Sequence, residues 1–149
     1  MNSDYTTETL SDWKEIKQIL LLFNVSFPRS LIDRVGDLEK YARKLAENAI
    51  VFSICMEDKV LGFAACYCND KLNKQAYLAQ IAVNDAYRRL NLGSCLMKLC
   101  IETARQKGME KLILEVDDDN VAAQNLYAKY EFIKTGKASG TSHYFERIL

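Results

Sequence analysis

Proline is nearly absent from this 149-residue chain: Pro28 is the only one, and glycine contributes just six residues. With so few chain breakers there is no Pro-rich or Gly/Ser linker, and no internal repeat or low-complexity tract divides the sequence. The length falls within the usual span of one compact unit, so a single domain over residues 1–149 is expected. An excess of charge is missing as well, with 20 Lys+Arg against 20 Asp+Glu. Such a balance supplies no field to gather polyanions, which argues against nucleic acid as a partner and confines any phosphate site to local groups.

Long hydrophobic runs are also lacking. Apolar stretches such as residues 19–23 fall far short of the ~20 residues that span a bilayer, and residues 1–4 lack a basic n-region. The expectation is a cytoplasmic chain with no membrane partner. Histidine occurs once, as His143, in a polar segment that suits a surface or substrate loop. The five cysteines are odd in number and lack paired C-x-x-C knuckles, so neither a metal site nor a disulfide frame is expected. Cys55, Cys66, Cys68, Cys95 and Cys100 sit mostly in apolar stretches and read as core thiols.

What is present is a clear alternation of periods. Trp13, Ile16, Leu20 and Phe23 recur at helical spacing behind Ser11 as N-cap, and Ile32, Val35, Leu38, Ala42 and Leu45 do so behind Ser30. Two amphipathic helices flanking Pro28 follow, the second opened by a Ser30-x-x-Asp33 capping box. Residues 50–55 and 60–67 are β-branched and aromatic runs around the polar turn 57–59, which predicts a hairpin. Residues 77–83 are almost continuously apolar, as a central strand requires. A helix follows Ser94 and ends at Gly108. Residues 111–116 predict a strand, 121–130 a short helix with Leu126 and Tyr130 inward, and 132–134 with 144–148 two closing strands. The fold class is α/β (α+β), a mixed sheet flanked by about four helices, with a strand–helix–strand crossover in the middle.

Three constellations carry chemistry. Arg88 and Arg89 precede Asn91, Leu92, Gly93 and Ser94 at a helix start, where free N–H groups and the helix dipole favour anions. Asn91 and Gly93 tolerate left-handed backbone, so the turn is either a phosphate cradle or an ordinary strand-to-helix loop. No G-x-x-x-x-G-K-[ST] or G-x-G-x-x-G motif occurs. Glu115 is the only acid inside an apolar strand, and strand parity turns it away from Leu112, Leu114 and Val116. It either lines a cleft, where apolar neighbours would make it a stronger base, or faces solvent at an edge. Asn120, Ala123 and Tyr127 share one stripe of the next helix, which is either a ligand face or core.

Residues 83–94, with Val83, Tyr87, Arg88, Arg89 and Gly93, together with Leu114-Glu115-Val116, Asn120-x-x-Ala123-x-x-Leu126-Tyr127 and Phe132, resemble the two linked signatures of the GNAT superfamily of N-acetyltransferases. Asn91 stands where that family usually has its middle glycine, and Glu131 where a glycine commonly precedes the phenylalanine. The second signature is similar to the ribosomal-protein alanine acetyltransferase type. The resemblance implies a GNAT-like, mostly antiparallel sheet with a splayed central strand pair. It implies acetyl-CoA as co-substrate, its pantetheine arm along Ile81, Ala82 and Val83, its pyrophosphate on residues 88–94, and Asn120 in contact with it. Glu115 would accept a proton from a primary amine, directly or through water, and Tyr127 would protonate the departing thiolate, with no covalent enzyme intermediate. The acceptor is an amine on a small molecule or a protein N-terminus, and Tyr and Phe near the C-terminal strands could support a homodimer edge. A non-catalytic acyl-CoA-binding or protein-interaction module on the same fold is the alternative.

Overall fold

In the computed structural model the described residues are 4–24 and 30–149, without the side chains of Arg88 and Arg89. Pro28, expected between the first two helices, lies outside them. Seven strands form one sheet in the order β1-β2-β3-β4-β5-β7-β6: β1 (Thr6–Leu10), β2 (Ile50–Met56), β3 (Lys59–Asp70), β4 (Gln75–Val83), β5 (Lys111–Asp117), β6 (Ile133–Ser139) and β7 (Ser142–Ile148). Every neighbouring pair is antiparallel except β4 with β5. The apolar run at 77–83 does take the central place, and the parallel pair beside it requires the crossover helix that follows.

Five helices cover the sheet: α1 (Trp13–Leu22), α2 (Leu31–Val35), α3 (Leu38–Asn48), α4 (Leu92–Gln106) and α5 (Val121–Lys129). Strand parity, shifted once in β3 where Leu61 has no partner on β2, sorts the core into two clusters. Leu61, Ala64 and Cys66 of β3 face α4, where Leu92, Leu96, Met97 and Cys100 are buried, whereas Phe63 and Ala65 face Ile16, Leu20, Ala42 and Leu45 of α1 and α3. Full burial of each large aliphatic side chain stabilises by about 1.5–3 kcal/mol, so these two layers hold the helices to the strands. Cys66, Cys68 and Cys100 are buried thiols as expected, while Cys55 and Cys95 are half-buried.

Several boundaries differ from the sequence reading. β1 was not expected, because Thr6–Leu10 is almost wholly exposed and has no apolar alternation. Asp12 rather than Ser11 caps α1, its carboxylate accepting from the Lys14 N–H at 2.9 Å. Ser30 does open a helix, its hydroxyl accepting from the Asp33 N–H at 3.2 Å. The single helix expected through Leu45 is two, because Gly36 adopts φ +78° and Asp37 then starts α3 by accepting from the Glu39 and Lys40 N–H groups. Gly108, with φ +80°, ends α4 as expected. Of the aromatics near the C-terminal strands, Phe132 and Phe145 are core and only Tyr144 is exposed, so the aromatic edge expected there is reduced to one residue. Among the described residues no helix is long and apolar enough to cross a membrane.

Burial raises the phenol pKa of Tyr41 and pushes those of Tyr67, Tyr77 and Tyr127 up to about 12. An unfolded tyrosine titrates near ~10, so above that pH the unfolded state loses protons that the folded state keeps. The stability these phenols contribute is complete below pH ~10 and is lost as pH rises toward 12. Urea midpoints should therefore hold steady up to pH ~9.5 and fall steeply beyond it. A flat profile through pH 11 would contradict the burial described.

Candidate functional site

The centre of the sheet comes apart by design of its register. β4 pairs with β5 only at Gln75↔Lys111, Ala76↔Leu112 and Tyr77↔Ile113. Against β3, Ala65 pairs with Gln80 and Cys66 with Leu78, which leaves Ala79 unpaired as a bulge. A bulge bends its strand and increases local twist, so β4 turns away from β5 just beyond their last shared pair. Ile81, Ala82 and Val83 remain bonded to β3 on one edge while their other edge faces a gap. They are only half-buried although their strand is central. Gly62 permits this close seam with β3, since a Cβ there would stand 2.9 Å from the Ala82 carbonyl oxygen. The splayed pair implied by the resemblance is thus present.

The chain leaves β4 through a 3-10 turn, Asp85–Leu90, and reaches Asn91 at φ +57°, ψ +34°. Asparagine tolerates this left-handed conformation better than most residues, so it replaces glycine here at little cost. Asn91 starts α4 without capping it through its side chain, and the first intrahelical bond runs from the Cys95 N–H to the Asn91 carbonyl. The N–H groups of Leu92, Gly93 and Ser94 are therefore left at the helix start, where they and the dipole suit an anion. The Leu92 side chain is fully buried, so only its backbone can meet a ligand. A Cβ on Gly93 would meet nothing closer than 3.9 Å, which leaves room against the turn.

On the far side of the gap, Glu115 is exposed, not enclosed by apolar neighbours as one of the two sequence readings required. It is held all the same: the Ser142 hydroxyl donates to its carboxylate at 2.6 Å, and Ser142 in turn lies 2.8 Å from the Ser139 hydroxyl. Asn120 caps α5, its side-chain oxygen accepting from the Ala123 N–H at 3.2 Å, so its NH2 is the group left for a ligand. α5 meets its expected rotation only in part, since Tyr130 turns inward and Leu126 does not. Leu126 is 47% exposed, whereas Ala123, Tyr127 and Tyr130 pack against the α4 side of the core. A nine-residue helix with no fully buried residue gives a weak periodic signal, and the bulkier aliphatic residue misled.

Tyr127 is half-buried, its ring meeting Phe132 edge-on at 5.7 Å between centroids. Desolvation, reinforced by the Cys100 thiol, pushes its phenol up to about 12. It is therefore a protonated donor throughout the neutral range. Glu131, in the usual glycine position, adopts φ +68°, and Arg147 offsets the strain by donating to its carboxylate at 3.1 Å and to the Tyr130 carbonyl at 2.6 Å. His143 binds Asp118 through Nδ1 at 2.5 Å and fastens β7 to the turn before α5, a structural role.

Sequence reasoning missed Ser142 and the network over β4, in which Arg34 donates to Gln80 Oε1 at 2.9 Å and Gln80 Nε2 donates to the Tyr41 hydroxyl at 2.9 Å. The buried Gln80 in an otherwise apolar strand was the available signal.

Comparison with known proteins bears on this geometry. Residues 13–132 match the acetyltransferase (GNAT) family. A Bacillus subtilis protein named as a candidate ribosomal protein bS18-alanine N-acetyltransferase is 30% identical over 93 residues, 62% of this chain and 60% of that protein. Ard1 from Thermoplasma volcanium, 22% identical, has the same fold over 99% of each chain with a TM-score of 0.79. A candidate streptothricin acetyltransferase of Bacillus anthracis str. Ames, solved in complex with acetyl coenzyme A, is 25% identical over 68% of this chain and 63% of that one, with a TM-score of 0.60. The matched segments span 29% to 60% of the length of the curated relatives.

Proposed function

The chain belongs to the GNAT acetyltransferase family, and from that premise we propose that residues 1–149 act as one cytoplasmic N-acetyltransferase domain moving an acetyl group from acetyl-CoA to a primary amine. The observation that carries this reading is the edge of Ile81, Ala82 and Val83 left unpaired by β5, running toward an α4 N-terminus that the Asn91 side chain does not cap. An extended chain of amide groups ending in a pyrophosphate matches that path in shape and polarity. In the sequence Arg88 and Arg89 stand just before that helix start. Acetyl-CoA supplies an activated thioester. The remaining chemistry falls to side chains around the gap.

A primary amine is protonated in water with a pKa of roughly 8–10, so it must lose a proton before it can attack. Glu115, exposed at the gap and oriented by Ser142, accepts that proton directly or through a water. Backbone N–H groups at the open edge of Ile81–Val83 stabilise the negative charge that develops on the acyl oxygen, each being worth about 3 kcal/mol in comparable sites. The Asn120 NH2 group holds the coenzyme beside α5. Tyr127 offers its proton to the departing sulfur. Proximity replaces a covalent enzyme intermediate, so Cys95 and Cys100 take no part.

The acceptor is an amine on a small molecule or a protein N-terminus; similarity to the bS18-alanine candidate supports the latter kind. Release of the coenzyme thiol, followed with a thiol reagent across a panel of amines, tests the proposal. Amine-dependent release is expected. Coenzyme binding without it would instead favour the non-catalytic module.

A further inference from the structure

Beyond Glu115 the open face of the sheet continues as a groove of about 410 Å3 lined by Tyr67, Asp70, Tyr77, Ile113, Tyr144 and Glu146 among others. α1 and α3 cover β2 and β3, and that apolar cluster reaches no further than β4, so among the described residues no helix packs on β5 and β7 on this face. Register places Tyr144 opposite Glu115 and Glu146 opposite Ile113, and paired residues share a face. A carboxylate at Glu146 therefore stands diagonally across the β5–β7 pair from the proposed base, roughly 7–8 Å away. The Tyr67 hydroxyl is buried without a hydrogen-bond partner among the described residues. Among the described residues no lysine or arginine lines the groove, whose carboxylic acids are Asp70 and Glu146, although Arg34 acts on Tyr77 from nearby. Lys111 reaches Glu146 at 3.5 Å from outside it, but both are partly solvated, and such a pair yields readily to a better-placed cation. The rings can contribute as well: Lys44 Nζ lies 5.9 Å from the Tyr67 centroid, within reach of its π face.

We propose that this groove binds a second cationic group of the acceptor, so that the favoured substrates are amines carrying another ammonium or guanidinium roughly 7–8 Å from the reacting nitrogen. This rests on the acetyl-transfer reading above and deepens it. A free linear diamine and a protein N-terminus followed by Lys or Arg present the same chemistry to Glu146, Tyr67 and Tyr144.

The test compares amines at saturating acetyl-CoA. An α,ω-diamine of about five carbons should exceed the matching monoamine in kcat/KM by about fivefold or more. Peptides beginning Ala-Lys and Ala-Leu form the second arm and identify which source is preferred. In Glu146→Gln and in Tyr67→Phe the cation preference should fall toward unity, mostly through KM. Equal use of mono- and dicationic amines, or a preference unchanged in Glu146→Gln, would overturn the proposal while leaving acetyl transfer standing. If no amine releases coenzyme, the acetyl-transfer reading fails instead, and calorimetry decides the groove alone: diamine heat lost in Glu146→Gln supports it, and no heat with the wild-type chain overturns it.

Discussion

Tyr127→Phe should lower kcat by roughly 10²–10⁴ while acetyl-CoA affinity changes by no more than about threefold. The substitution keeps the edge-on packing on Phe132, because only the hydroxyl is removed. What is lost is the proton offered to the leaving sulfur. Burial pushes that phenol up to about 12, well above a thiol's usual ~8.5, so full proton transfer is uphill even once the C–S bond has broken. The phenol therefore acts by a hydrogen bond that strengthens as charge builds on the departing sulfur, which lowers the barrier without affecting binding, and solvent completes the protonation. The same shift sets the pH profile. Since the phenol keeps its proton up to about pH 12, the wild-type rate should show no falling limb from this group at pH 9–11. Turnover unchanged in the phenylalanine variant would remove Tyr127 from the donor role.

For Glu115→Gln the expected loss in kcat/KM at neutral pH is again roughly 10²–10³, with an unaltered melting temperature. Glutamine retains an oxygen to accept from Ser142, so the link to β7 survives the change. The distinguishing feature is recovery. Once pH passes the amine's own pKa of roughly 8–10, the acceptor arrives already deprotonated and the variant should approach the wild-type rate. A deficit that persists at pH 10.5 would assign Glu115 to acceptor binding rather than proton removal.

The middle of the sheet was legible because residues 50–55 are a β-branched and aromatic run and 77–83 is almost continuously apolar, as strands covered on both faces require. The break between α2 and α3 was not, because Ile32, Val35, Leu38, Ala42 and Leu45 keep one helical phase across it, and only Gly36 and Asp37 mark the stop. Asn91 was read correctly as a left-handed position on local chemistry alone. Glu115, Asn120 and Tyr127 could be singled out by residue type, but their surroundings depend on register and helix rotation. Hence the exposure of Glu115 and the outward Leu126 emerge only in three dimensions. The aromatic groove was hidden for the same reason, since β3, β4 and β7 each contribute to it across long sequence separations. The splay itself came from family resemblance. Its local cause, an extra residue at Ala79, leaves no mark in a run of small and apolar side chains.

Most sheets have two rims to guard against sticking to other chains; this one has a third, inside, where Ile81, Ala82 and Val83 present unsatisfied backbone toward the cleft. An extended peptide could pair with such a strip as readily as with an outer rim. On the proposed reading the coenzyme would lie along it, so the loaded protein would offer one rim fewer than the bare one.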